Sequence, residues 1–169
     1  MLEKKHYGIA LVGHNVCAFK DVDSEAVRRA DAIVSIGDPG EAMPAAIVRS
    51  RKRRLRLSFY DLDHEARESP QVDHVRELIN FVKTVKADDR LLVHCYAGIS
   101  RSTASLAIIF TVLYPELDHD VIFEAVHAIR PEAWPNKRMI AFADDILNCG
   151  GRFTSALLRF RSRVIEDGA

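Results

Sequence analysis

Apolar residues are spaced in two ways along this chain. Ile9 to Val12, Ala32 to Ile36, Leu55 to Tyr60 and Leu91 to Val93 are short apolar runs bounded by polar or glycine-containing turns, the pattern of sheet strands. Elsewhere apolar positions recur three and four residues apart. Ser24 to Ala30 predicts a short helix capped by its serine, and Ser69 and Pro70 open a longer one with Val72, Val75, Leu78, Ile79, Val82 and Val85 at helical spacing. Ser102 to Leu113 is nearly all apolar, which predicts a buried helix stopped by Pro115. His119 to Ile129 is amphipathic, Met139 to Leu147 runs up to the stop signal Gly150-Gly151, and Ala156 to Ile165 sets an apolar stripe against arginines. Strands alternating with helices predict an α/β fold with a central, mainly parallel sheet flanked by helices. No repeat or low-complexity linker interrupts it, so residues 1–169 are expected to form a single domain.

Composition narrows the partners. Lysine plus arginine number 24 and aspartate plus glutamate 24, so no overall charge favours nucleic acid or a membrane surface. The densest local charge is Arg49, Arg51, Lys52, Arg53, Arg54 and Arg56, a run able to meet RNA, an acidic protein or an anionic lipid. With no aromatic residues interleaved for stacking on bases, its plainer reading is a solvated loop leading into a strand. No apolar run reaches the ~18 residues needed to cross a bilayer, and the opening MLEKKHYGIALVG lacks the length and the ending of a secretion signal, so a cytoplasmic location is expected. Cys17, Cys95 and Cys149 are too few and too scattered for a disulfide scaffold, and none belongs to a Cys-x-x-Cys pair. At least one thiol is therefore free for chemistry.

That chemistry concentrates in HCYAGISRS, residues 94–102. The apolar run ending at Val93 leads into His94 and Cys95, and a helix begins near Ser102, so residues 96–101 form a tight strand-to-helix loop. A helix start presents backbone N–H groups without partners in the helix, and Gly98 lets further N–H groups of the loop Tyr96, Ala97, Gly98, Ile99 and Ser100 converge on phosphate-like oxygens. Arg101 adds a planar fork that can hold two equatorial oxygens of a phosphoryl group, a geometry lysine cannot match. The same positive field favours the thiolate of Cys95. A thiolate beneath a bound phosphoryl group is placed for in-line attack, giving a phosphocysteine that water then cleaves, and Ser102 can steady the sulfur as it leaves.

His94-Cys95, five intervening residues and Arg101-Ser102 resemble the signature of cysteine-dependent protein tyrosine phosphatases. The Ala-Gly-Ile-Ser spelling is similar to the catalytic loop of dual-specificity phosphatases, particularly the mitogen-activated-kinase phosphatase type, and the short chain agrees with that compact branch. Asp38-Pro39, the segment LSFYDLDHE and the Pro-Asn pair of RPEAWPN extend the likeness over residues 32–147, where it resembles a bacterial dual-specificity-like subgroup. The resemblance implies a phosphatase fold of the dual-specificity type and a hydrolase acting on phosphate monoesters. Its expected partner is a phosphorylated protein or peptide, phosphotyrosine first, with phosphoserine or phosphothreonine admitted by a shallow pocket. In this family the histidine supports the loop and helps to hold the thiolate, which gives His94 that role.

Ester cleavage also needs a proton for the departing oxygen. Asp61 and Asp63 follow the strand ending at Tyr60 and precede the Ser69-Pro70 helix, on a loop able to cover the pocket. In the resembling phosphatases the acid follows such a strand directly, which favours Asp61 over Asp63. Asn136, after Pro135 in a turn between helices, reads from its residue type as a cap or turn former, and from the family's Pro-Asn pair as a brace of the phosphate loop. Trp134 reads first as core packing, with an aromatic at the pocket rim as the alternative. No metal and no cofactor are expected, because side chains and backbone amides fill every role and His64, His74, His119 and His127 lack a metal-binding spacing such as His-Glu-x-x-His. Two alternatives remain. A phosphoinositide or RNA 5'-phosphatase of the same fold is opposed by the absence of loop lysines and by Arg-Ser in place of Arg-Thr-Gly. An idle phosphopeptide-binding module would keep Arg101 while losing the cysteine or the acid, and this chain has both.

Overall fold

Every residue of Ala32–Gly37 and of Leu91–Cys95 is buried, so these two apolar runs are interior strands covered on both faces. The computed structural model describes residues 5, 6, 9, 10 and 13–168. The chain runs through β1 (Lys5–His6), β2 (Ile9–Ala10), β3 (Asn15–Ala18), a 3-10 turn over Phe19–Asp21, α1 (Ser24–Arg29), β4 (Ala32–Gly37), α2 (Ala45–Val48) and β5 (Arg53–Ser58). It continues through α3 (Val72–Val82), β6 (Leu91–Cys95), α4 (Arg101–Leu113), α5 (His119–Ile129), α6 (Lys137–Ile146) and α7 (Arg152–Asp167). The central sheet is four-stranded and wholly parallel, in the order β3-β6-β4-β5.

The period-two alternation of the strands divides the core. Cys17, Ile33 and Leu92 face one side of the sheet, where they pack with Val27 of α1 and Ile47 of α2. Val16, Ala32, Val34, Ile36, Leu91, Val93 and Cys95 face the other, against the larger layer built from α3 to α7. α4 is buried from Arg101 through Thr111, as its nearly unbroken apolar sequence requires of a helix with neighbours on all sides. The chain lays down β3, β4 and β5 and then returns to insert β6 between β3 and β4. Such a reversal of strand order leaves a crevice at the carboxyl ends of the strands, and Cys95 is the last residue of β6.

Several expected elements are shifted, each for a local reason. Within the expected strand Ile9 to Val12, Leu11 and Val12 lie outside the described residues, while β2 pairs antiparallel with β1 in a separate ribbon. The outer strand beside β6 is β3, whose Asn-Val-Cys-Ala is too short and mixed to announce itself. The four-residue α2 likewise carries no periodic signal. α1 is capped by the Asp23 carboxylate, which accepts from Ala26 N at 2.7 Å, and not by Ser24. α3 starts two residues after Pro70, where Gln71 and His74 form a capping box, and it ends before Val85.

The arginine run also differs from a solvated loop. Arg53, Arg54 and Arg56 lie within β5, an edge strand where charge discourages pairing with other chains. Arg54 donates to the carbonyls of Ile47 and Ser50, both at 3.0 Å, and Arg53 reaches Asp89 and the Thr84 carbonyl. Among the described residues no helix is long and apolar enough to cross a membrane.

Candidate active site

After Cys95 the backbone turns back over the sulfur before α4 begins. Gly98 has a φ of +70°, and a Cβ there would collide with the backbone of Cys17 and Ala18 on β3, so only glycine lets the loop fold against the sheet. In this turn the Gly98 N–H donates to Cys95 Sγ at 3.3 Å, and Ser102 Oγ lies 3.2 Å from the same sulfur. The loop's carbonyls are engaged by neighbours: Phe19 N donates to Tyr96 O at 3.1 Å, Trp134 N to Ile99 O at 2.9 Å and Asn136 N to Ser100 O at 3.3 Å. Ser100 precedes α4 without capping it, because its hydroxyl donates to Asp61 Oδ1 at 2.7 Å. The first N–H groups of α4 are thus left for an anion. Tyr96 and Ala97 stand exposed at the rim, Tyr96 by 64%.

His94 is fully buried and oriented by a residue the sequence reading did not single out. Arg56 Nη1 donates to Ser35 Oγ at 2.9 Å, and because the Cys95 carbonyl facing Nδ1 can only accept, the Ser35 hydroxyl is the donor to Nε2 of the neutral imidazole at 2.7 Å. This places the imidazole proton on Nδ1, 3.4 Å from the Cys95 carbonyl. A serine in the midst of the apolar strand Ala32–Gly37 was the available signal, since a buried hydroxyl demands a partner. Burial pushes the His94 pKa down to about 4 from its ordinary value of 6.5. The unfolded chain therefore binds a proton that the folded one refuses, and stability should fall as the pH drops from about 6.5 to about 4. By linkage His94 contributes about 3 kcal/mol to that loss, in the same direction as the less perturbed His74 and His119. His94→Asn should flatten the decline of melting temperature with acid. Parallel pH profiles for the two proteins would show that His94 is not buried as the neutral imidazole.

Arg101 is only 3% exposed. Its Nη1 donates to Asp38 Oδ1 at 2.7 Å and to the Phe59 carbonyl at 2.6 Å, while its buried Nε has no partner among the described residues. An unpartnered buried N–H on a cation is costly, and an anion on the open edge of the guanidinium relieves it. Asp38 was part of the recognisable sequence but carried no assigned role. It opens a turn in which Glu41 N donates to Asp38 O at 2.9 Å and Arg56 Nη2 donates to Glu41 O at 2.7 Å. Gly37 makes room for this, because a Cβ there would strike the Arg56 guanidinium.

The two candidate acids are separated by their partners. Asp61 accepts on Oδ1, from Ser100 Oγ and from Asn136 Nδ2 at 2.9 Å, and Oδ2 has no hydrogen bond among the described residues. Asp63 turns away to accept from Lys137 N at 3.0 Å at the start of α6, and its other oxygen lies 3.6 Å from Arg161. Asn136 is 1% exposed and caps α6, its Oδ1 accepting from Met139 N at 3.0 Å. Its side chain thus ties α6 to the acid loop, and the brace to the phosphate loop comes from its backbone N–H. Trp134 is not stacked in the core: its ring carries the Arg161 guanidinium at 4.6 Å. The other thiols lie outside this cluster. Burial, with Asp21 adding, pushes the Cys17 thiol up to about 12, and burial raises that of Cys149.

Comparison with known proteins places this geometry. No family model matches the chain. Over 118 residues it is 32% identical to the dual specificity protein phosphatase 15 of Rattus norvegicus, covering 69% of this chain and 46% of that one. Over 94 residues it is 33% identical to the MAP kinase phosphatase with leucine-rich repeats protein 3 of Dictyostelium discoideum, covering 54% and 10%. The crystal structure of DUSP15 superimposes with a TM-score of 0.61 at 26% identity over 91% of each chain. The chain spans less than half the length of the curated relatives it matches.

Proposed function

The chain is a dual-specificity-phosphatase-like member of the cysteine-dependent protein tyrosine phosphatase superfamily, and from that premise we propose that it hydrolyses phosphate monoesters of proteins, phosphotyrosine first, through a phosphocysteine. The observation that carries this reading is Cys95 Sγ held beneath the Gly98 N–H and Ser102 Oγ, at the start of a loop that leads into a buried Arg101 whose Nε has no partner among the described residues.

In the first step the loop N–H groups and the open edge of Arg101 hold the three equatorial oxygens, and Asp38 with the Phe59 carbonyl fixes the guanidinium from behind. The Cys95 sulfur forms a bond to phosphorus as the ester P–O bond breaks, and the leaving oxygen takes the proton carried on Asp61 Oδ2. In the second step the Asp61 carboxylate takes a proton from water, whose oxygen attacks phosphorus. The P–S bond breaks, inorganic phosphate leaves, and the Ser102 hydroxyl donates to the returning thiolate.

A panel of phosphotyrosyl, phosphoseryl, inositide and RNA 5'-phosphate substrates in excess EDTA tests the assignment. Phosphotyrosyl peptides should turn over best and at full rate. A preference for inositide or RNA overturns the substrate class, and activity lost to EDTA but restored by metal overturns the chemistry. Asp61→Asn should lower kcat/KM, which reports the first step alone, by about 100-fold or more for an alkyl phosphate and far less for an aryl phosphate with an acidic phenol. Equal losses on both esters would remove Asp61 from the proton transfer.

A further inference from the structure

We infer that Arg161, on the C-terminal helix α7, is a positioning residue for the proton-transfer loop. The inference rests on the reading of Asp61 as the general acid. Arg161 lies on the side of α7 next to Phe160, which is buried with Phe153 and Leu157 in the main core, so its backbone is anchored independently of the site. From there its side chain, 14% exposed, reaches across to the segment before α6. The guanidinium lies over the Trp134 ring at 4.6 Å, Nη2 donates to the Pro135 carbonyl at 2.6 Å, and the same nitrogen lies 3.6 Å from Asp63 Oδ2.

Those three groups flank the residues that aim the acid. Trp134 and Asn136 donate their backbone N–H groups to Ile99 and Ser100 of the phosphate loop. The Asn136 side chain donates to Asp61 Oδ1 and, at 3.2 Å, to the Leu62 carbonyl. Asp63 is fastened to the start of α6 through Lys137 N. One cation therefore spans the segment that positions the acid and the loop that carries it, joining both to a helix outside the active site. A lysine cannot reproduce this, because a point charge does not stack on the indole and donate sideways at the same time. Arg161 touches neither the sulfur nor Arg101, so its loss should spare phosphate binding while misplacing Asp61.

The test compares Arg161→Gln, Asp61→Asn and the double variant on an alkyl phosphate and on an aryl phosphate with an acidic phenol, with competitive inhibition by inorganic phosphate read in parallel. Arg161→Gln is expected to lower kcat/KM for the alkyl ester about tenfold and that for the aryl ester little, with phosphate inhibition changed less than about twofold. In the Asp61→Asn background it should add nothing. Equal losses on both esters, additivity with Asp61→Asn, or weakened phosphate inhibition would overturn the inference and make Arg161 a general fold contact. If Asp61→Asn itself shows no dependence on the leaving group, the reading of the acid fails instead. Should Arg161→Gln not fold, Arg161→Lys carries the same comparison, with a smaller loss of the same pattern expected and wild-type kinetics contradicting it.

Discussion

Cys95→Ser is expected to reduce turnover of phosphotyrosyl substrates by about 10⁴-fold or more while leaving their binding close to wild type. In the proposed mechanism the sulfur is the atom that bonds to phosphorus, and a serine hydroxyl in its place is a poor nucleophile. The groups proposed to hold the phosphoryl oxygens stay in place, because a serine oxygen can still accept from the Gly98 N–H and face Ser102, and the Asp38-fixed guanidinium makes no hydrogen bond to the thiol. Calorimetric titration with a phosphotyrosyl peptide or inorganic phosphate reads the binding half, and steady-state kinetics the other. Residual turnover near wild type would end the phosphocysteine mechanism, and lost binding would show that the sulfur is itself part of the anion site.

Arg101→Lys has the second largest expected effect, about 10³-fold in kcat/KM. Arginine here has two jobs that its shape alone combines. Nη1 is committed to Asp38 and the Phe59 carbonyl, while Nε, without a partner among the described residues, is the edge that the proposed mechanism gives to the substrate. An ammonium at 101 can satisfy Asp38 or the phosphoryl group but has no planar edge with which to do both. Asp38→Asn should fall in the same direction by a smaller amount, since a neutral amide keeps a carbonyl oxygen for Nη1. Unchanged kcat/KM in Arg101→Lys would assign Arg101 to the fold and not to the transition state.

Much of this was legible in the sequence because it is written in contiguous residues. The loop from His94 to Ser102, the buried strand before it and the apolar helix after it share one stretch of chain, and local pattern reveals all three. The preference for Asp61 over Asp63 came from the resemblance, in which the acid directly follows the strand, and the structure gives the two different partners: Asp61 meets Ser100 before α4, and Asp63 holds the start of α6. What the sequence concealed depends on register between distant segments. Ser35 meets His94 only because β4 and β6 are neighbours that place those residues side by side. Arg56 looked like one charge in a basic run until strand pairing set it beside Ser35 and Glu41. Arg161 was one of several arginines opposite an apolar stripe, and nothing in helical periodicity tells which of them reaches Trp134. β3 went unread because four mixed residues carry too little alternation to stand out.

The central claim is the covalent intermediate on Cys95, and the direct measurement is to trap it. Protein mixed with a ³²P-labelled phosphotyrosyl peptide should be quenched within the first turnovers, digested, and its labelled peptide sequenced, with Ser102→Ala used to slow the second step. The expected result is label on the peptide containing Cys95, with the alkali stability and acid lability of an S-phosphocysteine, chased away by unlabelled substrate and absent from Cys95→Ser. Turnover that proceeds with no labelled protein at any time, or label that appears on another residue and persists in Cys95→Ser, would contradict the account.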